Sequence, residues 1–182
     1  MTFKRGNIMR TALRKEDLIY LMEQQDKLDR DMRSRFDIKD VTWNLGMKEE
    51  HRIALNVEIH EFINEAFKTW KYWKKKPMER ENIIQEAIDV IHFAMLLINK
   101  DKTPSNDKAV VMAYEIHNLD PLVSEEDVKK TLYELSRISV TPEGALYRTL
   151  QILEYYDFNR KQILETYDRK NEINFKRLAS EY

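Results

Sequence analysis

The chain has 182 residues and sets 31 Lys and Arg against 32 Asp and Glu, so its formal net charge of -1 leaves no basic excess for gripping a nucleic-acid backbone. It contains no cysteine, which excludes disulfides, thiolate metal sites and thiol nucleophiles together and suits a reducing cytoplasm. No apolar run reaches the roughly 18 residues of a membrane-spanning helix, and 42% hydrophobic residues are enough for one buried core.

Only 3 Gly and 4 Pro punctuate the sequence, too few for a turn-rich β architecture, so the expected fold class is an all-α helical bundle. Residues 1–14, with Lys4, Arg5, Arg10 and Arg14 ahead of Lys15, read as a solvated basic tail before a single domain over 15–182. The first helix is expected over 15–34, with Asp17 ahead of Leu18 as its start signal. Residues 35–47 hold Asp37, Asp40, Asn44 and Gly46 and read as the longest connection. Further helices are expected over 48–67, 80–100, 106–118, 124–138, 142–157 and 159–179, where apolar residues recur at three and four. Pro77, Pro104, Pro121 and Pro142 mark boundaries between them. Ser124 before Glu125 and Glu126, and Thr141-Pro142-Glu143, are start signals of their own.

Two acidic pairs stand out, Glu58 with Glu61 and Glu86 with Asp89. Each is spaced i, i+3, which leaves the two side chains about 60° apart on one helix face. The second pair lies in a stretch, Ile83 to Ile98, that is apolar nearly all round and therefore buried. Carboxylates there are costly unless paired or metal-bound, and four oxygen donors from two helices suit Mg²⁺ or Mn²⁺ rather than zinc. For the pairs to meet across a helical hairpin, the chain must reverse about midway between Glu61 and Glu86. The first of these helices should therefore loosen before Trp70, leaving Thr69 to Lys76 as an exposed loop or short turn. In that loop Trp70, Tyr72 and Trp73 alternate with Lys71, Lys74, Lys75 and Lys76, a mixture suited to bases and phosphates. His51, His60 and His117 read as ordinary surface or core histidines.

These residues together resemble the dimeric all-α dUTPases, relatives of the MazG-type nucleotide pyrophosphatases. The resemblance rests on ExxE at Glu58 and Glu61, on ExxD at Glu86 and Asp89 running into Val90-Ile91-His92-Phe93, and on WKxWK from Trp70 to Lys74. It continues in YxxKNxxNxxR, from Tyr167 through Lys170, Asn171 and Asn174 to Arg177, and more weakly in Leu21, Gln25, Leu28 and Asp29. It implies hydrolysis of dUTP by a Mg²⁺-dependent homodimer that takes a nucleotide and binds neither nucleic acid nor membrane, and it leaves open whether dUDP is a further substrate. By the same resemblance Glu58, Glu61, Glu86 and Asp89 are metal ligands, and Glu58 also orients the attacking water. Gln25 and Trp70 fall near the uracil, His92 and Tyr167 near the sugar, and Lys74, Lys170, Asn174 and Arg177 along the phosphates, with Asn171 in the same substrate-binding set. Two alternatives stay open: a related pyrophosphatase acting on dCTP or on nucleotides in general, and a non-catalytic helical relative that binds a nucleotide or a protein.

Overall fold

Helix α3 (Arg80–Asn99) is the axis of the molecule, with Ile83, Ala87, Ile88, Val90, Ile91, Ala94 and Met95 all fully buried along it. Each Ile, Val or Met side chain among them contributes roughly 1.5–3 kcal/mol on burial. Four helices pack on this axis: α1 (Lys15–Arg35), α2 (Lys48–Glu65), α6 (Pro142–Tyr155) and α7 (Arg160–Ala179). α4 (Ser105–His117) leans on α1, and α5 (Glu125–Leu135) on α6. The computed structural model describes residues 9–180, among which these seven α-helices occur and no strand. None of the described helices is long and apolar enough to cross a membrane.

The starts of α5 and α6 follow the capping chemistry expected of the sequence, whereas Asp17 does not precede α1 but lies in its first turn, where it accepts from the Arg14 N–H at 2.7 Å. Ser124 Oγ accepts from the Asp127 N–H at 3.1 Å, and Thr141 Oγ1 from the Gly144 N–H at 3.0 Å, with Pro142 in the first turn of α6. Asn159 and Gln162 form a reciprocal capping box at the start of α7.

The reversal between α2 and α3 falls where the acidic spacing requires it. α2 stops at Glu65, two residues short of its expected end, a single 3₁₀ turn spans Phe67–Thr69, and residues 70–79 are not helical. The exposed face of this connection carries Tyr72, 92% exposed, while Trp70 turns inward and donates its indole N–H to the Ile63 carbonyl at 3.0 Å.

Two expectations need correction. The connection over 35–47 is not irregular throughout, because Thr42–Gly46 forms a π-helical turn that buries Trp43. Residues 9–14 are not a solvated tail. Met9, Thr11 and Leu13 are buried, Thr11 donates to the Leu150 carbonyl and to Glu154, and Arg10 pairs with Glu154 and Asp157. The apolar residues between the basic ones join the core, and the hydrogen bonds of Arg10 and Thr11 tie the segment to the corner between α6 and α7. Lys4 and Arg5 lie outside the described residues.

Candidate active site

On α2, Leu55, Ile59 and Phe62 recur at helical spacing and face the core, which leaves Glu58 at the edge of the buried stripe. On α3, Glu86 and Asp89 hold the matching edge beside Ala87, Ile88 and Val90. The antiparallel packing of the two helices brings Glu58, Glu86 and Asp89 together, with a carboxylate oxygen from each within 4.8 Å of the others. Glu61 lines the same cavity but is exposed and stands outside this group.

The electrostatics of the three acids are those of a site short of positive charge. Burial first, and then Asp89, Glu61 and Glu86, push the Glu58 carboxyl up to about 7. Burial raises Glu86 and Asp89 as well, with Lys170 pulling against the shift in both. Lys170 donates to Asp89 Oδ2 and, at 3.2 Å, to the Gln85 carbonyl. Three hard oxygen donors that repel one another in a half-buried setting fit a divalent cation of the Mg²⁺ or Mn²⁺ type.

The acids open into a cavity of about 560 Å³. At their end it is charged, lined also by Gln85 and by Lys170, Asn174 and Arg177 from one face of α7. His51 precedes Glu58 by two turns of α2, and Leu96 follows Asp89 by two turns of α3, so the antiparallel pair sets a second group of lining residues roughly 10 Å away. That end is apolar and aromatic, built from Leu28, Met32, Trp43, Phe93 and Leu96, with Gln25, Asp29, His51 and His92 as its polar atoms.

Those polar groups are ordered by one hydrogen-bond chain. Gln25 donates its amide N–H to Asp29 Oδ1 at 2.7 Å, which turns its oxygen to His92 Nδ1 at 2.9 Å and fixes the proton on that nitrogen. Burial lowers His92 to about 3 and His51 to about 4, so both imidazoles are neutral. His92 Nε2 and His51 Nδ1 are buried without a partner. Burial also lifts the Asp29 carboxyl to about 7, against the pull of Gln25, Arg33 and Lys100. The Trp43 ring lies 4.5 Å from His51 and has the Lys100 ammonium 5.3 Å above it.

Of the residues singled out from sequence, Gln25, Glu58, Glu61, Glu86, Asp89, His92, Lys170, Asn174 and Arg177 line this one cavity. Tyr167 does not line it but backs it, stacked behind His92, and Asn171 is buried on α7 with its side-chain oxygen unpartnered. Trp70 and Lys74 are not brought to the cavity. The first is tied to Ile63, and the second lies 3.7 Å above the Phe67 ring. Sequence reasoning gave no role to Trp43, His51 or Asp29. His51 could have been found from its spacing of seven from Glu58, which keeps both on one face of α2.

A family model described as dUTPase matches residues 17–182. No curated protein matches the chain.

Proposed function

The chain belongs to the dUTPase family, and from that premise we propose that it hydrolyses dUTP to dUMP and pyrophosphate. The observation that carries this reading is the two-ended cavity, in which acids and a cationic helix face adjoin a neutral aromatic pocket with polar edges. A nucleoside triphosphate has the same division into polyanion and heteroaromatic ring.

In this reading Glu58, Glu86 and Asp89 hold a divalent ion, Mg²⁺ or alternatively Mn²⁺, with Glu61 beside them at the rim. When bound, the ion supplies positive charge against the triphosphate and acidifies water. Glu58 orients the attacking water, and the phosphoanhydride between the α- and β-phosphates is the bond that breaks. Lys170, Asn174 and Arg177, at i, i+4 and i+7 on α7, present an ammonium, an amide and a guanidinium fork to the phosphates. His92 Nε2 accepts from a sugar hydroxyl, Tyr167 holds the His92 ring in place, and Asn171 seats the turn of α7 between Lys170 and Asn174. Gln25 and Asp29 meet the base against Trp43. The enzyme is read as a cytoplasmic homodimer that also accepts dUDP; Ile53 and Val57, 63% and 48% exposed on the outer face of α2 beside Glu61, support the dimer.

One observation favours a second pyrimidine. An Asp29 carboxyl that protonates near 7 is both donor and acceptor, and so can pair with the edge of cytosine as well as with that of uracil. Pyrophosphate release from dUTP, dCTP, dTTP and UTP, with and without Mg²⁺, tests both readings. Mg²⁺-dependent release from dUTP is expected, and cleavage of dCTP with none of dUTP would overturn the assignment. No release from any of the four would leave a nucleotide-binding protein without turnover.

A further inference from the structure

Lys170 is placed against the acids rather than beside them. Its ammonium bonds to Asp89 Oδ2 and to the Gln85 carbonyl, and its field reaches Glu58 and Glu86. The side chains of Lys170 and Asp89 are only 18% and 22% exposed, so water does little to screen the pair. The same lysine shares its face of α7 with Asn174 and Arg177, which line the cavity with it. Its flexible four-carbon stem lets the ammonium move along that face without any movement of the helix.

Resting on the reading that the three acids hold a divalent ion, we propose that Lys170 is a displaceable internal counter-ion. Without metal it neutralises Asp89. A doubly charged ion among Glu58, Glu86 and Asp89 takes over that carboxylate and repels the ammonium, which is then released toward the phosphates of the substrate. One ammonium cannot serve both partners at full strength, so the metal and phosphate positions are coupled through a single side chain. The metal-free protein is thereby held with its acids partly neutralised and one phosphate contact withheld. The exchange is purely electrostatic and involves no covalent step.

Calorimetric titration of Mg²⁺ into the nucleotide-free wild type and into Lys170→Met, with melting temperatures of each taken with and without saturating Mg²⁺, tests the proposal. The variant should bind Mg²⁺ on the order of tenfold more tightly, because a competing cation is gone. It should melt below the wild type only when metal-free. Lys170→Gln, which retains a donor for the Gln85 carbonyl but no charge, should follow Lys170→Met in affinity. Equal or weaker Mg²⁺ binding in both variants overturns the counter-ion role, as does an equal loss of melting temperature with and without metal, the mark of a plain packing contact. If the wild type binds no Mg²⁺, the metal reading of the site falls, and the counter-ion role falls with it.

Discussion

The His92 imidazole on α3 stacks on the Tyr167 phenol on α7, with ring centroids 4.1 Å apart and planes 21° from parallel. Asp89 and Lys170 lie one helical turn from these rings, on the same two helices, and they too are paired. The ring stack thus sets the register of α7 against α3, and with it the place of the cationic face over the acids. Tyr167→Ala should lower stability by about 3–5 kcal/mol, as truncation of a buried aromatic does. Tyr167→Phe, which loses only the bond to the Leu21 carbonyl at 3.2 Å, should cost about 1 kcal/mol. Denaturant unfolding curves of the two variants check both figures.

Glu86→Gln and Asp89→Asn should each lower dUTP turnover by roughly a hundred- to thousandfold while leaving the helical content unchanged. Glu61→Gln, exposed and outside the close group, should lose less. Metal-free Glu86→Gln should also melt higher than the wild type, because a half-buried carboxylate that repels its neighbours has been removed. Asp89→Asn gains less, since it strands Lys170. Rates of pyrophosphate release and melting temperatures decide these points, and a Glu61→Gln variant as inactive as Glu86→Gln would return Glu61 to the ligand set.

In the proposed function Arg177, which lines the cavity with Lys170 and Asn174, serves as a phosphate contact and little else, for its side chain is exposed. A charge-assisted hydrogen bond of this kind is worth roughly 1.5–3 kcal/mol, so Arg177→Ala should reduce kcat/KM for dUTP about ten- to a hundredfold. Its melting temperature should stay within a degree or two of the wild type, in keeping with a surface substitution of about ±0.5 kcal/mol. Unaltered kinetics would remove Arg177 from the site.

Stability should depend on pH through Asp29. Unfolded, this acid ionises near its ordinary value of 3.8; folded, burial keeps it protonated until about 7. Between those values the unfolded chain binds fewer protons than the folded one, so stability falls as pH rises from about 4 to about 7 and then levels off. Asp29→Asn is uncharged throughout and escapes that loss. Its melting temperature relative to the wild type should therefore climb across the window. Glu58, also raised, acts with the same sign in both proteins and drops out of the difference. A difference that stays flat from pH 4 to pH 7 would mean that Asp29 is ionised in the folded protein.

Much of this architecture is legible in the chain because its signals are local. Ser124 and Thr141 cap the helices they precede, and the pairing of Glu58 with Glu86 across a hairpin foretells the break before Trp70. Trp43 was not legible, since a π-helical turn departs from the 3.6-residue period on which pattern reading depends. Trp70 and Lys74 have the composition of a nucleotide site, but composition says nothing of direction: the indole N–H goes to Ile63 and the ammonium to the Phe67 ring. Glu61 teaches a similar lesson. The i, i+3 spacing fixes which way a side chain points along the helix, and leaves its depth to the packing of the neighbours.

The short segment from Met9 to Arg14 touches neither the acids nor the cavity, yet the Arg10 carbonyl accepts the first N–H of α7, that of Arg160, at 2.7 Å. In lever terms, this contact is a stop at the fulcrum. From Arg160 to Arg177 the helix runs about 25 Å at 1.5 Å per residue, so a swing of about 5° at its base carries Arg177 through about 2 Å. That displacement is enough to part a guanidinium from a phosphate. These six residues, together with the Asp17 carboxylate that pairs with the Arg160 side chain, therefore fix the base of the helix whose other end carries Arg177.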